Sequence, residues 1–496
     1  MTRKTHLAWS LTALLAVLLA GYQLEGARAG LTITDMRVGS TPVTRYQLPE
    51  QRGPLVVVAH GFAGSRQLMH TFSLNLARSG YIVLAFDFEG HGRNPRPMSG
   101  DVTQIDGTTA LLVAETRRVL EAGRSLPQVD GRAALLGHSM ATDIIVRAAA
   151  EERLEGQPVE AVVAISMFSE AVTAQTPERL LMITGQFESY LREAALAALH
   201  QVDPNAKAGE TIRSGSVERR AVVAPRVEHV GVLYSDTAVE EARQWLDRSF
   251  DLSSTAALIS LGLWILLLLI SVVLLLRPLA HSLAADPSPL PALPRGRFLL
   301  AAWLPAVLVP LVATAVYVQF LPVLVADYLM IHLVLYGLLQ WLLLGAPWSS
   351  LRKLSLWGTA LLVVWGIGAF GFALDRYAAS FFPTAERLPL IGVLALGTVP
   401  FMVGDSAITQ AGRANIWRRV GARVPFFASL VAAAALDPER LTFVLIVLPV
   451  IVLFFVVQGL MGRWIGQRSG AAAAGLGLGL CLAWALGVSF PLFAGS

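Results

Sequence analysis

A single cysteine, Cys481, stands in a chain of 496 residues and lies in an apolar run, so an intramolecular disulfide and a cysteine-based zinc cluster are both excluded. Charge is scarce as well: Asp, Glu, Lys and Arg make up 15% of the residues, where a soluble globular chain carries roughly 25%. The 39 Lys and Arg against 35 Asp and Glu leave a net charge of +4, too small a surplus to argue for nucleic acid as a partner. Hydrophobic residues fill the gap at 54%, and mean hydropathy is +0.58. That balance excludes an ordinary soluble enzyme, and also a disordered chain, which is poor in apolar residues. Part of this sequence belongs in lipid.

The apolar residues are unevenly placed. Residues 31–253 have mixed composition and suffice for one domain with a full core, whereas 254–496 are near-continuous hydrophobic runs. Ahead of both, residues 1–30 hold a first apolar stretch, Leu7 to Tyr22, with Arg3 and Lys4 before it and Ala27-Arg28-Ala29 after it. This segment reads equally as a cleaved signal peptide or as a membrane anchor, and either one puts the mixed domain outside the cytoplasm. Eight further spans are expected at about 255–276, 298–321, 323–345, 355–374, 388–404, 424–436, 441–461 and 470–493. The stretch 424–436 is short for roughly 30 Å of hydrocarbon and is expected to be tilted or re-entrant. The loop from Pro278 to Pro294 reads as a stiff connector. No repeat of fixed period is present, and Gly475 and Gly479 in the last span read as a helix-packing pair.

Every second loop of the apolar half is basic: Arg277, Arg295 and Arg297, then Arg352 and Lys353, then Arg413, Arg418, Arg419 and Arg423, then Arg463 and Arg468. Lys and Arg in short loops are held on the cytoplasmic side, so the N-terminus is expected inside and the mixed domain outside. The expected location is a bacterial inner membrane, with the domain on its extracytoplasmic side. Within the spans, Asp327 reads as interfacial, and Tyr328, His332 and Tyr336, spaced by four, read as a buried polar packing stripe.

In the domain, short β-branched runs alternate with helical patterns at Pro54–Ala59, Ile82–Phe86, Ala133–Leu136, Val159–Ile165, Leu180–Thr184 and Ala221–Ala224. Such alternation implies an α/β domain with a mostly parallel sheet, whose functional groups collect beyond the carboxyl ends of the strands. After the third run comes Gly137-His138-Ser139-Met140-Ala141, a nucleophile-elbow pattern in which small residues two before and two after the serine let strand and helix pass closely. Ala141 stands where a second glycine is usual and is small enough for the elbow to survive. His60-Gly61-Phe62 follows the first run. A backbone NH of Phe62 facing the serine and paired with that of Met140 would make an oxyanion hole, although a plain glycine turn after a strand explains the same three residues.

With Asp87-Phe88-Glu89-Gly90-His91-Gly92 closing the second run, the order HG, D-x-x-G-H-G, G-H-S-x-small across residues 31–250 resembles the α/β-hydrolase superfamily, and more narrowly its serine aminopeptidase-like and dienelactone hydrolase-like branches. The resemblance implies an acid after the next-to-last strand and a histidine after the last. Glu188 in Gly185-Gln186-Phe187-Glu188 and His229 in Glu228-His229-Val230 fill those places, with Glu in place of the more usual Asp. Glu170 and Glu228 are alternative acids, and His229 also reads as a surface-loop histidine. His60, Gly61, His138 and His91 are implied to shape the pocket, as is Glu89, which stands where relatives often carry arginine. Only about a dozen residues, Met167 to Arg179, connect the fourth and fifth runs, so the helical cap of many relatives is expected to be missing or minimal.

The expected function is a membrane-integral serine hydrolase cleaving an ester, thioester or amide through an acyl-enzyme on Ser139, with His229 as base and Glu188 as its orienting acid. No metal or organic cofactor is implied. The expected partners are a small-molecule or lipid substrate, including acylated envelope molecules, and membrane lipids, with no nucleic acid. The competing expectation is a non-catalytic sensor or regulatory domain attached to a lipid-binding or lipid-transporting bundle.

Overall fold

The computed structural model describes residues 3–101, 105–284, 290, 292–345 and 354–494. They form two compact units, one built mainly from residues 19–267 and one mainly from residues 268–374 and 381–490.

The first unit is built on a nine-stranded sheet. Its strands are β1 (Thr32–Val38), β2 (Thr41–Gln47), β3 (Gly53–Ala59), β4 (Ile82–Phe86), β5 (Val129–His138), β6 (Ala161–Ile165), β7 (Arg179–Gly185), β8 (Thr211–Ser214) and β9 (Val217–Ala224), in the order β1-β2-β4-β3-β5-β6-β7-β9-β8. The six central strands run parallel, and β1, β2 and β8 add antiparallel edges. Leu55 to Ala59 show why the centre is parallel: a run of apolar residues buried on both faces suits a strand covered by helices on either side. This is the α/β-hydrolase fold. The antiparallel strands β1, β2 and β8 are ones that the apolar-run pattern does not reveal, because Thr32–Val38 and Thr41–Gln47 mix Thr, Asp, Arg and Gln into the alternation and Thr211–Ser214 is short and largely exposed.

Two further segments pack into this unit. Residues 491–494 run beside the loop after β4, with Met98 N donating to Leu492 O at 2.7 Å, Leu492 N to Gly90 O at 2.9 Å and Ala494 N to Met98 O at 2.7 Å. From residues 375–380, Asp375 pairs with Arg93 at 2.5 Å, Arg376 and Tyr377 reach Glu25, and Ser380 N donates to Ser65 Oγ at 2.9 Å.

A buried polar knot fixes the loop after β4. Asp87 accepts from Arg66 N at 2.8 Å and Arg93 N at 2.9 Å and is ion-paired with the Arg66 guanidinium. Removing one partner of such a pair strands a buried charge, at a cost of about 3–5 kcal/mol. Gly92, at φ +51°, turns the loop where a Cβ would overlap the Asp87 carboxylate.

Behind the knot, Glu115 on α3 (Ala110–Arg124) accepts from Thr41 Oγ1 at 2.5 Å, Asn94 Nδ2 at 3.0 Å and Glu89 N at 2.9 Å. Burial pushes its carboxyl up to about 7 despite these bonds. A carboxyl with a raised folded-state pKa binds its proton more tightly when folded. Its contribution is therefore full below its unfolded value near 4.3 and is lost as pH rises through about 7, on the order of 3 kcal/mol in all. Glu115→Gln is expected to flatten the fall in thermal midpoint of the full-length protein between pH 5 and pH 8, at some loss of baseline stability. An unchanged slope would show that Glu115 does not titrate there.

The second unit is helical. Its long apolar helices include α8 (Arg295–Ala315), α9 (Ala326–Leu344), α10 (Leu356–Tyr377), α11 (Leu388–Ile408), α12 (Ile416–Leu436) and α13 (Val444–Ser489). With α1 (Arg3–Arg28) and α7 (Gly262–Ser282), eight helices among the described residues are long and apolar enough to cross a membrane. The 46-residue α13 is broken at Gly470 (φ 88°, ψ 170°), so it holds the two spans expected at 441–461 and 470–493.

Two expectations are corrected. The 424–436 stretch is the end of a 21-residue helix, about 31 Å long, that starts at Ile416. Arg418, Arg419 and Arg423 interrupt its apolar run. The stiff connector starts later than Pro278, because α7 continues through that proline to Ser282. Asp327, in the first turn of α9, is fully buried and caps local backbone, accepting from Phe320 N at 2.7 Å, Leu321 N at 3.1 Å and Tyr317 OH at 3.3 Å. Arg352, Lys353 and much of the connector after Ser282 lie outside the described residues.

The polar stripe is closed on itself. Tyr328 OH meets His332 Nδ1 at 3.0 Å, His332 Nε2 meets Ser429 Oγ at 2.9 Å, and Tyr336 OH donates to Ala302 O at 3.1 Å. Gly475 and Gly479 pack against α11, where added Cβ atoms would lie 2.5 and 2.6 Å from the Cα atoms of Val403 and Val399.

Candidate active site

Strand β5 ends at His138, and α4 (Met140–Leu154) starts one residue after Ser139. Ser139 carries the turn alone, at φ 53° and ψ −120°, a strained backbone for a residue with a side chain. Its geometry survives Ala141, which is fully buried, because Gly137 supplies the clearance: a Cβ there would sit 2.9 Å from Ile145 Cδ1 and 3.0 Å from Ala141 O. Ser139 N donates to Ile165 O at 2.9 Å, which ties the turn to the end of β6.

Two loops meet the serine from the other side of the sheet's carboxyl edge. His229, after β9, accepts from Ser139 Oγ through Nε2 at 2.8 Å and donates through Nδ1 to Glu188 Oε1 at 2.5 Å. Glu188, after β7, is buried, and its second oxygen Oε2 accepts from Ser166 Oγ at 2.8 Å and Gly185 N at 2.5 Å. Burial alone would raise its carboxyl, but the bonds from His229, Gly185 and Ser166 outweigh it and hold the carboxyl below the usual range. The acid is therefore ionised where the histidine needs it. Glu170 is exposed, and Glu228 spends its oxygens on the amides of Val230 and Gly231, at 2.7 and 2.8 Å, so neither competes for His229.

Ser166 is a member of the site that no motif in the sequence marks. It sits at the carboxyl end of β6, fully buried at φ 54°, and its one signal is that of a lone polar residue closing an apolar strand next to the elbow.

The other histidines of the motifs are fixed as spacers around the site. His60 Nδ1 donates to Gly61 O at 2.8 Å and its Nε2 accepts from Phe88 N at 3.2 Å, and burial lowers its pKa. His138 donates through Nε2 to His229 O at 2.9 Å, which holds the histidine loop in place, and burial pushes it down to about 3. His91 donates to Glu89 O at 2.9 Å and packs its ring against His60 and Phe62. Glu89 turns its carboxylate toward Arg96 and Arg118, at 3.3 and 3.9 Å. Gly61 lies against the serine, where a Cβ would come within 2.9 Å of Ser139 Cβ and 3.1 Å of His138 Nδ1. That contact puts the turn holding Phe62 beside Ser139, while Met140 N, at the first position of α4, has no acceptor within its own helix.

The site is open. His229 keeps 43% of its side chain exposed, and residues 166–178 join β6 to β7 without a helix over the serine. Phe168, Phe187, Tyr190 and Val230 are exposed around it, Phe168 linked through its amide to Thr142 one turn past Ser139 and its ring 6.1 Å from Tyr190. Among the described residues no group of three or more His, Cys, Asp and Glu could hold a metal ion.

Residues 54–206 match the family described as alpha/beta hydrolase fold, and residues 14–93 match platelet-activating factor acetylhydrolase, isoform II. No curated protein matches the sequence. Among solved structures, the chain is similar to dienelactone hydrolase from Anabaena variabilis, at 18% identity over 44% of this chain and 97% of that one, with a TM-score of 0.33. A hormone-sensitive lipase from a metagenome library is 14% identical over 50% of this chain and 99% of its own, with a TM-score of 0.34. An esterase from Pyrobaculum calidifontis is 15% identical over 50% and 93%, also with a TM-score of 0.34.

Proposed function

We propose that this chain, an α/β-hydrolase domain joined to a set of long apolar helices, is a membrane-integral serine hydrolase that cleaves an acyl bond through Ser139. The observation that carries the reading is the unbroken line from Ser139 Oγ through His229 to Glu188, at 2.8 and 2.5 Å. A serine hydroxyl is a weak nucleophile until an imidazole takes its proton, and the imidazole needs a carboxylate to hold its tautomer.

In the proposed cycle, Ser139 Oγ attacks the acyl carbonyl while its proton passes to His229 Nε2, and the resulting imidazolium is stabilised by Glu188. The tetrahedral oxyanion is held by the amides of Phe62 and Met140, aided by the positive end of α4. Collapse expels the leaving group with the proton from His229. A water then gives its proton to His229 and attacks the acyl-enzyme, and collapse of the second intermediate returns the proton to Ser139 and frees the acid.

The substrate class is argued from the surroundings. An uncovered serine rimmed by Phe168, Phe187, Tyr190 and Val230 suits an apolar acyl group better than a small polar one. We assign the substrate to acylated lipids or acylated envelope molecules. The alternation of basic loops supports an extracytoplasmic domain, because the segments 375–380 and 491–494, which pack with the domain, lie at span ends that lack a basic excess.

A fluorophosphonate probe tests the mechanism. The full-length protein in detergent is expected to be labelled on Ser139, as read by peptide mass spectrometry. An unlabelled serine in folded protein would remove the hydrolase reading and leave the domain as a non-catalytic sensor.

A further inference from the structure

The helical unit contains a cavity of about 370 Å³ between α11, α12 and α13. Most of its wall is apolar, with Val424, Phe427, Val452 and Val456 along its length. One end is cationic. Arg419, Arg423 and Arg463 line it together with a single acid, Asp405.

The three arginines are committed to different degrees. Arg423 forms a two-pronged pair with Asp405, at 3.0 and 2.8 Å, and lies 4.2 Å from the centre of the Phe455 ring. Arg463 Nε donates to Gly412 O at 3.1 Å. Arg419 forms no ion pair among the described residues, and its Nε is buried without an acceptor. A buried donor left unsatisfied is costly, more so when charged, so this end of the cavity favours a group rich in negatively charged acceptors. With Asp405 neutralised by Arg423, two positive charges remain, and the amino end of α12, capped by Asn415 through Arg418 N at 2.9 Å, adds its partial charge.

We propose that this cavity binds the phosphate head of an anionic membrane phospholipid, with one acyl chain lying along the valine wall. Phosphate supplies several acceptors to the planar guanidinium of Arg419, which a carbonyl cannot. The chain has a way in from the side: Val420, Val424 and Val456 are 45%, 51% and 64% exposed, so the wall opens on the outer surface of the helices. From Val420 to Phe427 the wall extends for about 10 Å along α12. Surplus positive charge selects against a zwitterionic head, whose ammonium would face the arginines. Basic pockets between membrane helices are general sites for such heads.

Native mass spectrometry of the full-length protein, exchanged into detergent with phosphatidylglycerol or phosphatidylcholine, tests this. Phosphatidylglycerol is expected to be retained about tenfold more strongly, roughly the value of one charge-assisted contact. Arg419→Gln should erase most of that preference, and Val456→Trp, which fills the chain-binding wall, should lower retention of the same lipid, with gel-filtration elution unchanged in both. Millimolar inorganic phosphate should leave the bound phosphatidylglycerol in place, whereas displacement would assign the site to free phosphate and overturn the lipid. Equal retention of the two lipids, or an Arg419→Gln protein that still prefers phosphatidylglycerol, would also overturn it. The outcome is independent of Ser139, so a failure here leaves the hydrolase reading standing.

Discussion

Ser139→Ala is expected to lower p-nitrophenyl ester hydrolysis by about 10⁴-fold or more, since removing the nucleophile of such a line costs as much as removing the whole line. The residual rate is the contribution of binding and of the amides of Phe62 and Met140, which need no nucleophile. Alanine also loses the bond to His229 at 2.8 Å, but it keeps the turn, because the strain at φ 53° belongs to the backbone and is imposed by β5 and α4. The variant should therefore fold, and its thermal midpoint is the control. Acyl chains of increasing length, assayed in detergent and in liposomes, add the substrate reading: rising rates with chain length in liposomes are expected from the apolar rim. Equal rates for wild type and Ser139→Ala would place any activity elsewhere.

Glu188→Gln is expected to lower kcat by about 10³–10⁴-fold with little change in KM, because the amide cannot stabilise the imidazolium and turns the histidine toward the wrong tautomer. The loss is not one of packing, since glutamine has the shape of glutamate. It is compounded at the second oxygen, where Ser166 Oγ and Gly185 N both donate, at 2.8 and 2.5 Å. A glutamine offers one acceptor oxygen to three donors: whichever way it turns, its NH₂ faces either Nδ1–H of His229 or these two. The carboxyl's lowered pKa gives the pH sign. Glu188 stays charged below the usual carboxylate range, so its own protonation does not set the rate profile near neutrality. A Glu188→Gln enzyme within tenfold of wild type would show that another group orients His229.

Some of this is legible in the sequence. The central strands declare themselves as apolar β-branched runs because both of their faces are covered, and chain order then puts a serine, an acid and a histidine at three strand ends that the structure draws together. The features that escape are those with no apolar run. The edge strands β1 and β8 are partly solvated, β2 is buried but mixes polar residues into its run, and the partners of Asp87 and the buried Glu115 are far apart in sequence, where Arg66 and Glu115 look like ordinary surface charges. Three arginines hide the first turns of α12. The cationic cavity is visible only as a basic loop, because which of its guanidiniums are already paired is decided by helix packing.

The pairing of residues 491–494 with the loop after β4 sets a clock on biosynthesis. Gly90 and Leu492, joined by a 2.9 Å bond, are separated by roughly four hundred residues, which at about 5–20 residues per second is some 20–80 s of translation. The sheet, the elbow and the Ser–His–Glu line all lie upstream and can form early. The loop carrying His91 gains its last backbone partner only after α13 has been made. Completion of the helical half is thus registered in the loop after β4 as a late ordering step, and a ribosome stalled within α13 would leave a domain with its sheet built and that loop still unlatched.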